Sequence, residues 1–375
     1  MNKKLHAPFR YDHVGSFLRP AELRQARADF EAGKITREEL TEVEDEAIRR
    51  LVARQKEAGY TAITDGEFRR ATWHLDFMWG FDGIGHSRTD TGLPFHGEAA
   101  MIDDTYLTGR LSVAHHPFVD HFRFVKALED ENTVAKQTIP APAQFLEQLI
   151  MPMNIKTTRK YYPDTEELIE DIAAGYREVI RQLYDAGCRN LQLDDCSWGV
   201  CVDPNALQFF GTDEEGLEQV KEQLLRVNNL ALEGRPEDLT VTTHICRGNF
   251  HSTWACSGGY DTVAGLLFGK ENVDAYYLEF DDERSGGFEP LKEVAGDRKV
   301  VLGLVTSKSP ELEKKEDIIA RIHEAARYIP LEHICLSPQC GFASCECGNK
   351  LTEEEQWAKL ALVKEIAEEV WGDRK

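Results

Sequence analysis

The sequence predicts an α/β fold: one (β/α)8 TIM barrel over residues 1–375, with an insertion at 68–131 between its second and third strands. Three observations predict it. Eight short β-rich runs begin near residues 13, 61, 133, 190, 240, 275, 299 and 333, mostly separated by stretches of helical periodicity. Several of those stretches open on capping signals and two close on glycine. Polar and thiol residues cluster where the runs end, the rim on which this barrel carries its chemistry. A chain of 375 residues is long for one average domain, but this barrel reaches that size alone.

In order, His13-Val14-Gly15-Ser16-Phe17-Leu18-Arg19-Pro20 reads as a first strand breaking into a glycine turn, with a helix from about Pro20. Thr36-x-x-Glu39 is a capping box for the next helix, whose apolar stripe is Leu40, Val43, Ala47 and Leu51 and which Gly59 ends. The second strand, Thr61 to Glu67, closes on Asp65 and Glu67. Residues 68–131 break the alternation and read as an insertion over one face, with Trp73, Trp79, a Gly/His/Thr-rich loop and a hairpin around Tyr106 to Val113. Within it, His115-His116 reads as an exposed loop pair.

From Thr133 the pattern is regular. A strand to Ile139 ends at Pro140 and Pro142, Asp164-x-x-Glu167 opens a helix that stops at Gly187, and the strand Asn190 to Asp195 follows. Thr212-x-x-Glu215 opens the helix before the strand Leu239 to Thr243. Strands at Ala275 to Phe280, Lys299 to Thr306 and His333 to Ser337 complete the eight. A helix from Pro310 to about Tyr328, capped by Ser309, separates the last two, and Thr352-x-x-Glu355 starts the terminal helix.

A net charge of −22 argues against a nucleic-acid or anionic-membrane surface and for small-molecule partners. No apolar run reaches the roughly 18 residues of a membrane span, and Met1 to Arg10 has no signal-peptide core, so the expected location is cytoplasmic. The nine cysteines, an odd number, point to free thiols or metal ligands in a reducing compartment. A homo-oligomer is compatible with all of this.

His244 and Cys246 end the fifth strand two residues apart and on one side, so both could hold one metal ion. By itself a His-x-Cys pair is a weak signal, since zinc wants four ligands. Glu279 ends the sixth strand and Cys340 follows the eighth, which brings one His, two Cys and one Glu to the same rim.

With these residues in place, the chain resembles the catalytic barrel of the cobalamin-independent methionine synthase family, in its short single-barrel form. The resemblance runs through His-Val-Gly-Ser at 13–16, Asp-Gly-Glu at 65–67, Gln-x-Asp at 192–194, Thr-His-x-Cys at 243–246, Glu279, and Pro-x-Cys-Gly at 338–341. It implies Zn2+ held by His244, Cys246, Glu279 and Cys340. It also implies L-homocysteine bound by Val14, Gly15, Ser16, Glu67 and Asp194, with Asp65 and Asp195 in support, and a methyltetrahydrofolate-type donor. Two thiolates and a carboxylate leave the zinc site with a formal charge of −1, suited to making a substrate thiol nucleophilic.

The departures from the family pattern concern the donor. Lys308 stands where the long enzymes carry the His proposed to protonate the leaving nitrogen, and reads as a candidate catalytic group, an anion anchor or a loop cap. Ile139 to Ala143 has no Trp on which a pterin could stack, and Arg110 is the counterpart of a folate-contacting Arg. A methylcorrinoid donor would account for these losses. Another thiol substrate, as in epoxyalkane:coenzyme M transferases, is kept open by Arg19, Arg69 and Arg70, and a purely structural zinc site is the reading from a different class. Cys345-x-Cys347 reads as a loop pair, Cys196 as a pocket wall, and Trp198 as its neighbour toward substrate.

Overall fold

Short β-branched runs between amphipathic helices give a mixed α/β fold in the computed structural model, which describes residues 5–372; Met1–Lys4, part of the start read above, lie outside it. Helices α1 (Ala21–Glu31) and α2 (Arg37–Glu57) precede a two-residue strand, β1 (Ala62–Ile63). The expected capping box starts α2: Thr36 Oγ1 accepts from Glu39 N at 3.1 Å, and Thr36 N donates to Glu39 Oε2 at 2.7 Å.

The insertion comprises α3 (Leu75–Met78), β2 (Asp82–Ser87), β3 (Leu93–Phe95), β4 (Glu98–Ala100), β5 (Asp104–Ser112) and α4 (Pro117–Lys126). The hairpin expected around Tyr106 is instead a single strand, β5, paired antiparallel with β2, while β3 and β4 form the hairpin between them. Alternate burial of Thr105, Leu107 and Leu111 gives β5 one covered face, which fixes the register of this pairing. The His115-His116 pair divides: His115 is exposed, whereas His116 is buried and caps α4 by accepting from Phe118 N at 3.2 Å.

The remaining elements alternate. They are β6 (Val134–Ala135), β7 (Gln137–Pro140), α5 (Pro142–Ile150), α6 (Ile155–Tyr161), α7 (Thr165–Asp185), β8 (Asn190–Asp195), α8 (Ser197–Cys201), α9 (Ala206–Phe210), α10 (Glu214–Ala231) and β9 (Thr240–Ile245). There follow α11 (Ala264–Lys270), β10 (Ala275–Glu279), β11 (Lys299–Val305), α12 (Lys315–Ala325), β12 (Ile334–Pro338) and α13 (Glu353–Trp371).

Three expected starts differ. Asp164 caps α7 through Glu166 N without a reciprocal box, because Glu167 is paired with Arg110. Asp213, one residue after Thr212, caps α10. Ser309 turns the chain locally, and α12 begins only at Lys315. The box at Thr352 is as expected.

β7 to β12 form a six-stranded parallel sheet in sequence order, almost wholly buried, as strands covered on both sides should be. β1 pairs in parallel with β6, and Tyr11 bridges Leu336 of β12 in parallel. Seven of the eight expected runs therefore hold strands that pair in parallel, whereas the first, read from His13, forms no strand and is preceded only by the isolated bridge at Tyr11. A ladder between the Tyr11 segment and β1 is not among the pairings of the described residues, so the closed eight-strand ring is not seen as continuous pairing. These two segments meet through Thr64 Oγ1, which donates to Gly15 O at 2.7 Å, and through Phe17 N, which donates to Gly66 O at 3.1 Å. Inside the sheet, Asp12 accepts from Lys136 at 3.1 Å and from Tyr277 Oη at 2.7 Å, all three buried.

Asn228 of α10 ties the outer layer to the sheet by accepting from Ala143 N and donating to Asp195 and to Glu271 Oε1. Burial, and then Asp195, pushes Glu271 up to about 8. Its folded-state pKa lies above the unfolded value of about 4.3, so the native state holds the extra proton and stability falls as pH rises between those values. Glu271→Gln should therefore gain stability over the wild type by a margin that widens from about pH 5 to pH 8 and then levels off. Urea denaturation across that range checks this; a constant or shrinking margin contradicts it.

Candidate active site

Parallel pairing sets Asp194 of β8 beside His244 of β9, and His244 beside Tyr277 of β10. Beyond β9, Cys246 N donates to Asp195 O at 3.3 Å, which keeps Cys246 in line with β8. The chain after β12 then brings Cys340 across: the Cys246 and Cys340 sulfurs are 3.7 Å apart. His244, Cys246 and Cys340 have their donor atoms within 4.8 Å of one another, all buried. His244 Nδ1 meets Tyr277 O at 3.2 Å, while Nε2 is buried with no partner. Hydrogen bonds from Cys196 and then Cys340 hold the Cys246 thiol well below its ordinary value.

These three residues line a pocket of about 30 Å3 with Val14, Ser16, Glu67, Asp194, Asp195, Cys196, Trp73, Asn249 and Ser344. A glycine at 341 is required here, since a Cβ would fall 1.9 Å from Ser16 Oγ. Ser16 O and Oγ accept from Phe342 N and Ala343 N, so its hydroxyl already serves the rim. Gly15 lies against Thr138, with which a Cβ would collide at 2.7 Å.

Glu67 has φ of 63°, a left-handed conformation that costs a non-glycine residue of order 1 kcal/mol and marks a constrained position. Asp65 supports it as expected, accepting from Glu67 N at 2.8 Å. Glu67 Oε1 accepts from Thr138 Oγ1 at 3.1 Å and lies 3.4 Å from Arg70, while Oε2 is buried and unpartnered. Burial raises Glu67 against the opposing pull of Arg70 and Arg19. Burial likewise raises Asp194, to about 7, against His244. Gln192 Nε2 donates to both Val14 O and Asp194 Oδ1 at 2.7 Å, fixing the carboxylate to the first strand.

Glu279 and Lys308 stand beside this pocket without lining it. Glu279 Oε2 accepts from Arg247 N at 2.9 Å, and Oε1 lies 3.1 Å from Arg284 and 3.4 Å from Lys308. Lys308 also pairs with Asp281 at 3.1 Å. Burial pulls the Lys308 ammonium down, but Glu279 and Asp281 outweigh it and hold it above the ordinary lysine value. Lys308 thus stands as the partner of two carboxylates beside the pocket.

Arg110 is not brought to the site. It is half exposed, pairs with Glu167 and Asp171, and covers the Tyr162 ring. Arg19 donates to backbone carbonyls, Arg69 pairs with Glu44 and Asp45, and Arg70 reaches Thr138 O. Trp198, expected near substrate, is fully buried in the core.

A second cavity of about 420 Å3 shares Trp73, Cys196 and Asn249 with the thiol-lined pocket. Its other walls include Phe95 and His96 of the insertion, Phe209, Trp254, and Gln144 and Glu147 of α5. Aromatic rings from the insertion and from the segments after β8 and β9 line this cavity. His96 stacks on Trp254 at 4.6 Å, and His96 N donates to Trp254 O at 2.7 Å, which docks the β3–β4 hairpin over the cavity. Neither the hairpin nor Asn249, which donates to Gly341 O and Ser344 Oγ, carried a signal in sequence. The wall role of Cys196 did.

Residues 153–369 match the family model described as the cobalamin-independent synthase catalytic domain. The chain belongs to the cobalamin-independent methionine synthase family. It is 45% identical, over 98% of its length and 96% of the relative's, to YxjH of Bacillus subtilis (strain 168), an uncharacterized protein. It is 25% identical to the methionine synthase of Saccharolobus solfataricus, covering 88% of this chain and 86% of that one. A structure from Listeria monocytogenes, named as a proposed vitamin-B12 independent methionine synthase, superposes with a TM-score of 0.76 at 40% identity, covering 99% of this chain and all of that one. The B12-independent methionine synthase of Shewanella sp. W3-18-1, solved with selenomethionine, has the same fold at 19% identity and a TM-score of 0.71, covering 97% and 98% of the two chains. Among the described residues no helix is long and apolar enough to cross a membrane.

Arg110→Ala in this methionine synthase family member should leave KM for thiol and donor unchanged within error. A several-fold rise in the donor's KM would return Arg110 to the site.

Proposed function

We propose that this protein is a zinc-dependent methyltransferase that moves a methyl group to the thiol of L-homocysteine to give methionine, on a single-domain (β/α)8 barrel. The observation that carries the reading is the convergence of three thiols, one imidazole and three buried carboxylates on one pocket. The donor set fits zinc. A sulfur separation of 3.7 Å is the edge of a tetrahedron whose metal–sulfur bonds are about 2.3 Å, and the unpartnered His244 Nε2 supplies a third donor. Glu279 is the fourth ligand in this proposal, its charge balanced by Lys308 and Arg284.

Bound there, zinc supplies a positive charge that lowers the thiol pKa below its free value of about 8.5 while the sulfur stays electron-rich. Glu67, through its unpartnered Oε2, and Asp194 pair with the amino group of homocysteine. The backbone of Val14-Gly15-Ser16 bounds the amino acid on the other side. Two-point binding of this kind fixes the sulfur for in-line attack. The larger adjoining cavity takes the methyl donor, read as methyltetrahydrofolate-type. The pocket's lining includes neither Lys nor Arg, which favours an amino-acid thiol over a sulfonate thiol. Nine free cysteines suit the cytoplasm.

Cys246→Ser should lose bound zinc and methyl transfer together while circular dichroism stays that of the wild type; full zinc stoichiometry in the variant sinks the ligand assignment. Calorimetry on the zinc-loaded protein should show L-homocysteine binding with release of about one proton and little binding of coenzyme M. Preference for coenzyme M would move the function to another thiol.

A further inference from the structure

The larger cavity holds a buried acid that the chemistry above does not use. Glu147 of α5 is 2% exposed, lines that cavity, and has an Oε2 without a partner. Gln144, one turn earlier on the same helix, hydrogen-bonds to Glu147 and accepts from Cys196 N at 3.0 Å. Cys196 lines both cavities, so the carboxyl is connected through a single side chain to the wall between donor and thiol. The groups acting on Glu147 from neighbouring elements are Asp195 at the end of β8, Cys201 of α8 and Cys256 after β9; His74, His96 and Asp203 line the same cavity. Burial, and then Asp195, pushes Glu147 up to about 8, so its carboxyl holds a proton at neutral pH. Lys308 is taken up by Glu279 and Asp281 and lines neither cavity.

We propose that Glu147 is the general acid of the methyl transfer, delivering its proton to the heteroatom that releases the methyl group. This rests on the thiol methylation proposed above. The donor class is an N-methyl tertiary amine on a flat heterocycle, which the aromatic walls Trp73, Phe95 and Trp254 would sandwich. Sulfur and the methyl carbon form a bond, the carbon–nitrogen bond breaks, and the electron pair stays on nitrogen, which takes the Glu147 proton. The proton released earlier by the substrate thiol restores the carboxyl through solvent. A methylated corrinoid or a halide leaving group needs no such proton.

The test compares wild type and Glu147→Gln, both zinc-loaded and saturated with homocysteine, using 5-methyltetrahydrofolate and methyl iodide. The variant should lose roughly a hundredfold to ten-thousandfold in single-turnover rate with the amine donor, the range of general acid catalysis. It should keep the wild-type rate with methyl iodide. The wild-type rate should fall above about pH 8 with the amine donor, a limb absent from the variant. An infrared band of a protonated carboxyl should be present in the wild type at neutral pH and lost in Glu147→Gln. Equal losses with both donors, no loss with the amine, or no such band overturns the role of Glu147. A wild type alkylated by methyl iodide but inert to the amine also overturns it. A wild type whose homocysteine is methylated by neither overturns the thiol-methylation reading as well.

Discussion

Asp194, His244 and Tyr277 stand on one lateral line across three parallel strands, and the chemistry of the site depends on that register. Side chains alternate along a strand, so a slip of one residue in β9 would turn His244 and Cys246 away from Asp194 together. The register is secured at the site and below it. Gln192 ties Asp194 to Val14 O, and Tyr277 O receives the His244 ring. Below them, Asp12, Lys136 and Tyr277 form a buried hydrogen-bonded charge cluster that links the first, third and sixth strands. Removing one member would strand a charge in the interior, which costs far more than the whole cluster contributes.

Electrostatically the rim is divided in two. Glu279 and Asp281 are neutralised by Lys308 and Arg284, whereas Glu67, with Arg70 3.4 Å away, Asp194 and the Cys246 thiol face a pocket whose lining includes no Lys or Arg. Burial raises Glu67 and Asp194 because desolvating a carboxylate is unfavourable until a cation arrives.

The insertion changes the neighbourhood of the site more than the sheet does. Its β3–β4 hairpin, docked by His96 on Trp254, contributes an aromatic wall to a cavity that opens beside the thiols. Across from it, α5 offers Gln144 and Glu147. Polar side chains buried behind aromatic ones are expensive unless a ligand meets them, and Glu147 Oε2 has no partner within the protein.

By itself the sequence determined seven of the eight expected strands, two of the capping boxes and the clustering of His244, Cys246 and Cys340, because each follows from local periodicity or from residues that end a strand. His244 and Cys246 are two residues apart at the end of one strand, and no tertiary knowledge is needed to put them on one side. The sequence could not determine the partner of β5, since a strand with one buried face specifies its own register but not which segment pairs with it. Nor could it separate Lys308 the acid from Lys308 the anchor: Asp281 and Glu279 come within 3.1 and 3.4 Å only once β10 and the loop after β11 are side by side. Arg110 is the same case in reverse, its charges drawn to Glu167 and Asp171 on α7. The larger cavity was decided entirely by tertiary structure. Its walls come from six separate segments, and the pKa of Glu147 depends on what covers it, which no spacing along the chain records.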